Sequence, residues 1–229
     1  MKKQDTVAVI VAAGQGTRMS KKYNKLLLPL GTRTIIELSL QTFLGHHRIR
    51  KIFLAVSSKD LNTFEKLFPR RVVMVEGGKR RQDSVNNALL KIMQEKKIPE
   101  LVLIHDGARP FCSRELIDRI IDSTIEYGAA IPVIPVFDTI RMIRDDKTRV
   151  IDRNNLFSVQ TPQGFRVKLI KDALNQAIEK KWEVTDDASL IENMGEIVKT
   201  IKGEYKNFKI TTPEDLVRAN FILNSMNLS

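Results

Sequence analysis

Val7-Ala-Val-Ile-Val-Ala-Ala-Gly-Gln-Gly-Thr-Arg-Met19 runs from a β-branched apolar stretch into two small residues, two glycines and then a cation. That order suits a buried strand opening into a phosphate-holding loop. Gly14 and Gly16 allow a sharp turn and bring backbone N–H groups within reach of phosphate oxygens, while Arg18 adds a fixed positive charge. Lys25 follows seven residues later, in a loop-like stretch ending at Pro29 and Gly31. Two cations in one polyphosphate loop can clamp an α-phosphate and neutralise the charge that grows during its displacement. No Gly-Lys-Ser/Thr follows, which excludes a Walker A loop, and Met19 stands where a dinucleotide-binding fingerprint needs its third glycine. The bland alternative is an ordinary strand-to-helix connection followed by a solvated lysine.

His105-Asp-Gly-Ala-Arg-Pro110 ends an apolar run with a carboxylate and a guanidinium three residues apart. An aspartate at a strand's carboxyl end, beside a polyphosphate, is placed to hold Mg²⁺ together with phosphate oxygens and water. The competing role for Asp106 is a structural ion pair with Arg109. Glu76-Gly-Gly-Lys-Arg-Arg-Gln-Asp-Ser84 joins a short strand to a helix, and its glycines let the backbone approach a flat base edge; a plain turn with an Asp or Ser cap is the alternative. Asp152-Arg153, Gln160-Thr-Pro-Gln-Gly-Phe165, Thr185-Asp-Asp-Ala-Ser189 and Lys209-Ile-Thr-Thr-Pro213 supply hydroxyls and cations suited to an anionic cosubstrate.

Other reactive residues fit no such pattern. Cys112 is the single cysteine, so an internal disulfide is excluded, and it has no paired metal-ligand spacing. It reads as a packed or surface thiol and not as a nucleophile. His46-His47 lack a Glu-x-x-His spacing and read as a helix-end turn, and His105 belongs to the strand end.

The elements that must position these residues follow from the pattern of apolar positions. Strand-like runs recur at Thr6 to Ala12, Lys51 to Ser57, Val72 to Val75, Leu101 to His105 and Ala129 to Val136, with helix-period segments at Thr34 to Leu44, Lys59 to Phe68, Ser84 to Gln94 and Arg114 to Tyr127 between them. Alternation of this kind predicts an α/β fold: a mainly parallel sheet in a three-layer arrangement, with ligands outside the carboxyl ends of the strands. From about Asp138 to Ser158 the pattern changes to short β-branched pieces flanking Asp145-Asp146-Lys147-Thr148, which predicts a β-hairpin. A two-stranded ribbon buries little alone, so it must pack on something, and a second subunit is a candidate. Beyond it come a helix at Val167 to Glu179, a segment at Asp186 to Met194, a strand near Ile197 to Ile201 and a last helix opening at Thr212-Pro-Glu-Asp.

Length and composition set the frame. With 229 residues, 42% of them hydrophobic, the chain can bury a large α/β core, and nothing resembles a linker. The expectation is a single domain over 1–229, with an arm at about 138–158. Met-Lys-Lys-Gln-Asp leads straight into a strand and no apolar run approaches membrane-spanning length, so the expected location is cytoplasmic, away from membranes. A formal charge of +11 calls for an anionic partner. Its basic residues are scattered and no RNA-recognition aromatic motif is interleaved, which argues against nucleic acid and leaves a phosphorylated metabolite or a membrane surface as the anionic partner.

Taken together and in this order, these motifs resemble the 2-C-methyl-D-erythritol 4-phosphate cytidylyltransferases, from about Val7 to Phe221. The Ala-Ala-Gly-x-Gly-x-Arg-Met loop is shared by many nucleotidyltransferases; His-Asp-Gly-Ala-Arg-Pro, Asp-Arg-Asn-x-Leu, Gln-Thr-Pro-Gln-Gly-Phe and Thr-Asp-Asp-Ala-Ser narrow the match. The resemblance implies a Rossmann-like nucleotidyltransferase sheet with a protruding hairpin arm for dimerisation. It also implies transfer of a cytidylyl group from CTP to methylerythritol phosphate in the non-mevalonate isoprenoid pathway, with Mg²⁺ or another divalent cation and release of pyrophosphate. Ala12, Ala13, Gly14, Gly16 and Arg18 would wrap the CTP phosphates, and Lys25 would join Arg18 in stabilising the transition state. Gly78, Arg81 and Ser84 would frame the cytosine. Asp106 and Arg109 would lie between nucleotide and cosubstrate, Asp106 nearest the metal. Arg153 and Lys209 would position the attacking phosphate, with Thr139, Thr161 and Thr185 nearby, and Thr139 and Arg153 would reach into a partner's site.

One departure stands out. The family usually reads Pro-Lys-Gln-aromatic where this chain has Asn24-Lys25-Leu26-Leu27. Loss of the proline is expected to loosen the loop, and loss of the glutamine removes a polar contact that bears on CTP affinity. Ribitol 5-phosphate cytidylyltransferases share the loop and a comparable Ile-Thr-Thr-Pro ending, but tend to carry valine before the arginine of the His-Asp motif, where this chain has Ala108. A noncatalytic nucleotide-binding regulator or a basic nucleic-acid binder would need no combination of Asp106, Arg153 and Lys209.

Overall fold

The computed structural model describes residues 5–14, 24–68 and 72–227. Gly16, Arg18 and Met19 therefore lie outside the described residues. Among the described residues, the apolar run at the start forms β1 (Thr6–Val11), the strand from which the sheet grows to both sides. Its side chains alternate: Ala8 and Ile10 enter one core and Val7 and Val9 the other. A strand buried on both faces needs an apolar residue at nearly every position, which this segment has.

From β1 the chain passes through α1 (Ile35–Leu44), β4 (Ile49–Val56), α2 (Leu61–Leu67) and β5 (Val72–Glu76), and these strands add in parallel on one side. A small ribbon of β2 (Pro29–Leu30) and β3 (Arg33–Thr34) precedes α1. Thr34 opens α1 with a capping box, its hydroxyl accepting from the Glu37 N–H while the Glu37 carboxylate accepts from the Thr34 N–H. After α3 (Arg81–Ile92) the chain crosses back, and β6 (Leu101–Asp106) pairs in parallel with the other edge of β1. The crevice between β1 and β6 is thus the switch point of the sheet, where a doubly wound fold receives its ligand. In that register Val11 stands beside Asp106.

Beyond β6 the sheet departs from simple alternation. α4 (Arg114–Tyr127) leads to β7 (Ala129–Pro135), but β6 and β7 do not touch: β11 (Gln163–Arg166) lies between them, antiparallel to both. β10 (Phe157–Val159) continues the same antiparallel run along β7, and β12 (Lys199–Lys202) pairs with β7 in parallel. The sheet is mixed but mostly parallel, with eight strands among the described residues. The polar and proline-bearing sequence around β10 and β11 carries no strand-like alternation, so its place in the sheet comes from Gln163, Gly164 and Phe165 being buried between neighbours.

α1 and α4 cover one face of the sheet; α3, α5 (Val167–Glu179) and α6 (Ala188–Asn193) cover the other, and α7 (Pro213–Asn227) ends the described chain. The expected hairpin is present as β8 (Ile140–Arg144) and β9 (Lys147–Ile151), a separate two-stranded sheet. Asp145 and Asp146 turn it with φ values of 48° and 60°, the left-handed pair that a two-residue hairpin loop requires. No helix among the described residues is long and apolar enough to cross a membrane.

Candidate active site

The carboxyl ends of β1, β4, β5 and β6 are drawn together by short backbone bonds. Ala12 N–H donates to Ala55 O at 2.7 Å, Gly77 N–H to Val56 O at 2.7 Å and Gly107 N–H to Val11 O at 3.0 Å. A Cβ on Gly77 would stand 2.3 Å from the Ala13 Cβ, so only glycine permits this approach. Above these ends opens a cleft of about 290 Å³, walled by Ala12, Ala13 and Gly14, by Lys25, by Gly78, Arg81 and Ser84, and by Asp106 and Lys209. Every one of these was singled out in the sequence, from segments up to nearly two hundred residues apart.

Ser84 shapes the base-side wall. Its hydroxyl accepts the Gly78 N–H at 3.0 Å and donates to Arg80 O at 3.2 Å, which closes the Gly77–Arg80 turn over the start of α3. A Cβ on Gly78 would lie 2.2 Å from the Asp83 Cβ, so this turn too depends on a bare Cα. Gly14 is exposed, with open space beside its Cα.

Asp106 is the electrostatic centre. Its Oδ1 accepts from Arg81 Nε at 3.1 Å, its Oδ2 lies 2.8 Å from Lys209 Nζ, and Arg109 Nε stands at 3.7 Å. Burial opposes the carboxylate's charge, but Arg81, then Lys209 and Arg109, outweigh it and hold the group well below the usual carboxylate range. Arg81 bridges to a second carboxylate, Asp187, at 2.8 Å. Burial pushes the Asp187 carboxyl up, and Arg81 works against that rise. The guanidinium of Arg81 is held ionised between the two. Arg109 is set further back: its Nη1 donates to Asn207 O at 2.8 Å, and it does not line the cleft.

Behind the carboxylate lies a buried chain of polar groups whose donors and acceptors can be assigned. The Arg109 carbonyl can only accept, so His105 carries its proton on Nε2, 3.1 Å away. Nδ1 is then an acceptor, and the Thr161 hydroxyl donates to it at 3.1 Å while accepting the Asp106 N–H at 3.0 Å. Burial lowers the His105 pKa to about 4, which keeps the ring neutral. The backbones of both Asp106 and Arg109 hang on this one imidazole. Thr161 faces this chain rather than the cleft, and Asn207 Nδ2 donates to its carbonyl at 2.8 Å.

Lys25 opens a 3-10 turn (Lys25–Leu27), and its Nζ donates to Ile210 O at 2.7 Å across the cleft mouth. The turn is anchored where the family pattern has proline: Asn24 is buried and makes three side-chain hydrogen bonds. The expected loosening at this position meets a side chain that ties the turn down.

Three further residues lie elsewhere. Thr139 and Arg153 belong to the arm and Thr185 to the segment before α6; all are exposed and none lines the cleft. Arg153 Nη1 donates to Phe137 O at the root of the arm. The sequence marks Asn24 only as a departure from the family pattern, and nothing in it marks Asp187 or Asn207. Asp187 sits within Thr185–Ser189, where a pair of adjacent acids gives no sign of which is buried against Arg81. Cys112 is buried and free, and burial raises its thiol pKa well above the usual value, in keeping with a packed role.

The sequence and the fold both match known proteins. The family model for 2-C-methyl-D-erythritol 4-phosphate cytidylyltransferase matches residues 6–225. The enzyme so named from Geobacillus thermodenitrificans is 43% identical over 224 residues, covering 95% of this chain and 96% of the relative. That of Alkaliphilus oremlandii is 42% identical over 229 residues, covering 96% and 95%. Among solved structures, the cytidylyltransferase from Thermus thermophilus superposes with a TM-score of 0.80 at 35% identity, over 95% of this chain and 98% of that one. The 4-diphosphocytidyl-2C-methyl-D-erythritol synthase from Anaerococcus prevotii does so with a TM-score of 0.83 at 31% identity, over 97% and 100%. With sequence and fold in agreement over nearly the whole length, the chain belongs to the 2-C-methyl-D-erythritol 4-phosphate cytidylyltransferase family.

Proposed function

We propose that the cleft at Asp106 transfers a cytidylyl group from CTP to 2-C-methyl-D-erythritol 4-phosphate, giving 4-diphosphocytidyl-2-C-methyl-D-erythritol and pyrophosphate. The observation that carries this is the convergence of Lys25, Arg81 and Lys209 on one cleft at the β1/β6 switch point, beside the bare backbone of Ala13 and Gly14. The phosphate monoester of the cosubstrate is already a nucleophile, so no base is needed. One of its oxygens attacks the α-phosphorus of CTP; the bond to the bridging oxygen breaks, and its electron pair leaves with pyrophosphate. Two dianionic reactants repel unless cations hold them in line, which is the work of the chain's own residues.

In this reading Ala12, Ala13, Gly14 and Gly16 wrap the triphosphate, and Arg18 and Lys25 hold the α-phosphate as charge develops. Gly78, Arg81 and Ser84 frame the cytosine. Lys209 and Asp106 meet the cosubstrate, with Arg109 and Thr161 supporting Asp106 from behind and Thr185 at the margin. Among the described lining residues Asp106 is the single carboxylate, and no group of three or more candidate metal ligands occurs. That donor set suits Mg²⁺, which takes one carboxylate plus phosphate oxygens and waters, and would hold it only with the nucleotide. When bound, the ion would offset the negative charge of the triphosphate.

The arm supports a homodimer. Ile143 and Val150 expose apolar surface on a ribbon too thin to be stable alone, and Phe137 and Phe157 are exposed in the segments that flank it. Across a two-fold axis it would bring Thr139 and Arg153 to the partner's cleft. Residues 1–229 serve this reaction as one domain, in the cytoplasm, where CTP is supplied.

Pyrophosphate release tests the reading directly. It should require CTP, methylerythritol phosphate and a divalent cation together, with ribitol 5-phosphate and ATP as poor replacements. Equal turnover with ATP, full activity in excess EDTA, or preference for ribitol 5-phosphate would overturn it.

A further inference from the structure

We infer that Asn24 is the positioning residue for Lys25, acting through a clamp that Asp60 closes. The inference rests on the assignment of Lys25 to the α-phosphate. Asn24 is 4% exposed, and each of its polar side-chain groups is engaged. Oδ1 accepts the Leu26 N–H at 3.1 Å, capping the 3-10 turn that carries Lys25. Nδ2 donates to Ala12 O at 3.1 Å and to Asp60 Oδ2 at 3.0 Å, which uses both protons of the amide. The same Asp60 oxygen accepts from Ser57 Oγ at 2.6 Å.

The clamp therefore links three pieces of the site. Ala12 follows β1 directly, Ser57 and Asp60 belong to the turn after β4, and Lys25 follows Asn24 directly. At its other end the Lys25 side chain meets Ile210 O. A lysine is a point charge on a flexible stem, so its head is placed only if its root is fixed. The backbone at Asn24 has φ −59° and ψ 119°, values that a proline also adopts. Side-chain hydrogen bonds here hold what a pyrrolidine ring would hold covalently.

The test is a double-mutant cycle on the full-length enzyme, with kcat and the KM for CTP read separately. Asn24→Ala should lower kcat by about tenfold and Lys25→Ala by about 100-fold, since a misplacement of about 1 Å in a catalytic group has effects of this order. If Asn24 acts through Lys25, the double variant is no slower than Lys25→Ala alone. Asp60→Ala should reproduce the Asn24→Ala loss, Asp60→Asn should restore most of it by keeping an acceptor oxygen, and Asn24→Pro should recover part of kcat by restoring φ. The Asp60 pair carries the test if Asn24→Ala does not fold. Multiplicative losses in the double variant, or a normal kcat in Asn24→Ala, would overturn the clamp while leaving Lys25 in its role. A normal kcat in Lys25→Ala would overturn the assignment of Lys25, and the purpose of the clamp with it.

Discussion

At the carboxyl end of β6, Arg81, Arg109 and Lys209 face a single carboxylate, and a neutral histidine fixes the backbone behind it. On the β8–β9 arm, Arg141, Arg144, Arg149 and Arg153 stand in solvent, and among the described residues their one ion pair is a loose contact of Arg144 with Asp145 at 3.8 Å. Both regions are rich in cations, but the cleft satisfies its charges within one chain, whereas the arm presents unpaired charges beside exposed Ile143 and Val150. Desolvated pairs are what make charge matter energetically; solvated ones contribute little. A cation in the cleft is thus held in place by its own chain, while one on the arm is held only when another surface meets it.

The largest expected effect cuts across that contrast. If Arg153 serves the partner's cleft, Lys25→Ala and Arg153→Ala homodimers should each lose about 100-fold or more in kcat. A heterodimer of the two collects both lesions in one site and neither in the other. It should recover about half of wild-type turnover if the sites act independently, as a closed two-fold interface implies. Subunit exchange shown by mass, with no activity recovered, would confine Arg153 to its own chain.

A smaller effect belongs to the cleft alone. The folded-state pKa of His105 is about 4, below the ordinary 6.5, so the unfolded chain takes up this proton first as pH falls. Stability is full above about pH 6.5 and is lost between there and pH 4, by at most about 3 kcal/mol from this group. His46, also lowered mainly by burial, acts in the same direction. The diagnostic quantity is therefore the difference between wild type and His105→Gln in chemical denaturation across that range. Parallel curves would mean that the buried imidazole does not govern this window.

The smallest effect on folding is expected on the arm. Ile143→Glu should change monomer stability by no more than about 0.5 kcal/mol, because the side chain is 72% exposed and packs on nothing it would leave empty. The same change should shift the mass in light scattering from dimer to monomer and lower activity with it. An unchanged mass would place the subunit interface elsewhere.

Much of this was legible in the chain. The continuous apolar run of Val7 to Val11, the apolar stripe of α4 and the twin aspartates of the hairpin turn are local patterns, set by strand burial, by a period of 3.6 residues and by turn chemistry. The loop at Ala12 to Gly14, Lys25, Arg81, Ser84, Asp106 and Lys209 were each visible as residue types at strand ends. Their meeting in one cleft follows from the β1/β6 switch point, of which the alternation of strands and helices foretold only that ligands sit at the carboxyl ends of the strands.

What the sequence by itself determined, then, is what depends on neighbours along the chain: the elements, the hairpin and the candidate residues. The tertiary structure alone decided which strands neighbour one another and which polar groups share a buried partner. Nothing local marks Gln163 to Arg166 as the strand between β6 and β7, Asp187 as the second partner of Arg81, or Asn24 as bound to Asp60. Those contacts join residues 34 to more than 100 positions apart, and a buried donor is satisfied by whichever acceptor the fold brings to it, so no spacing along the chain can encode the choice.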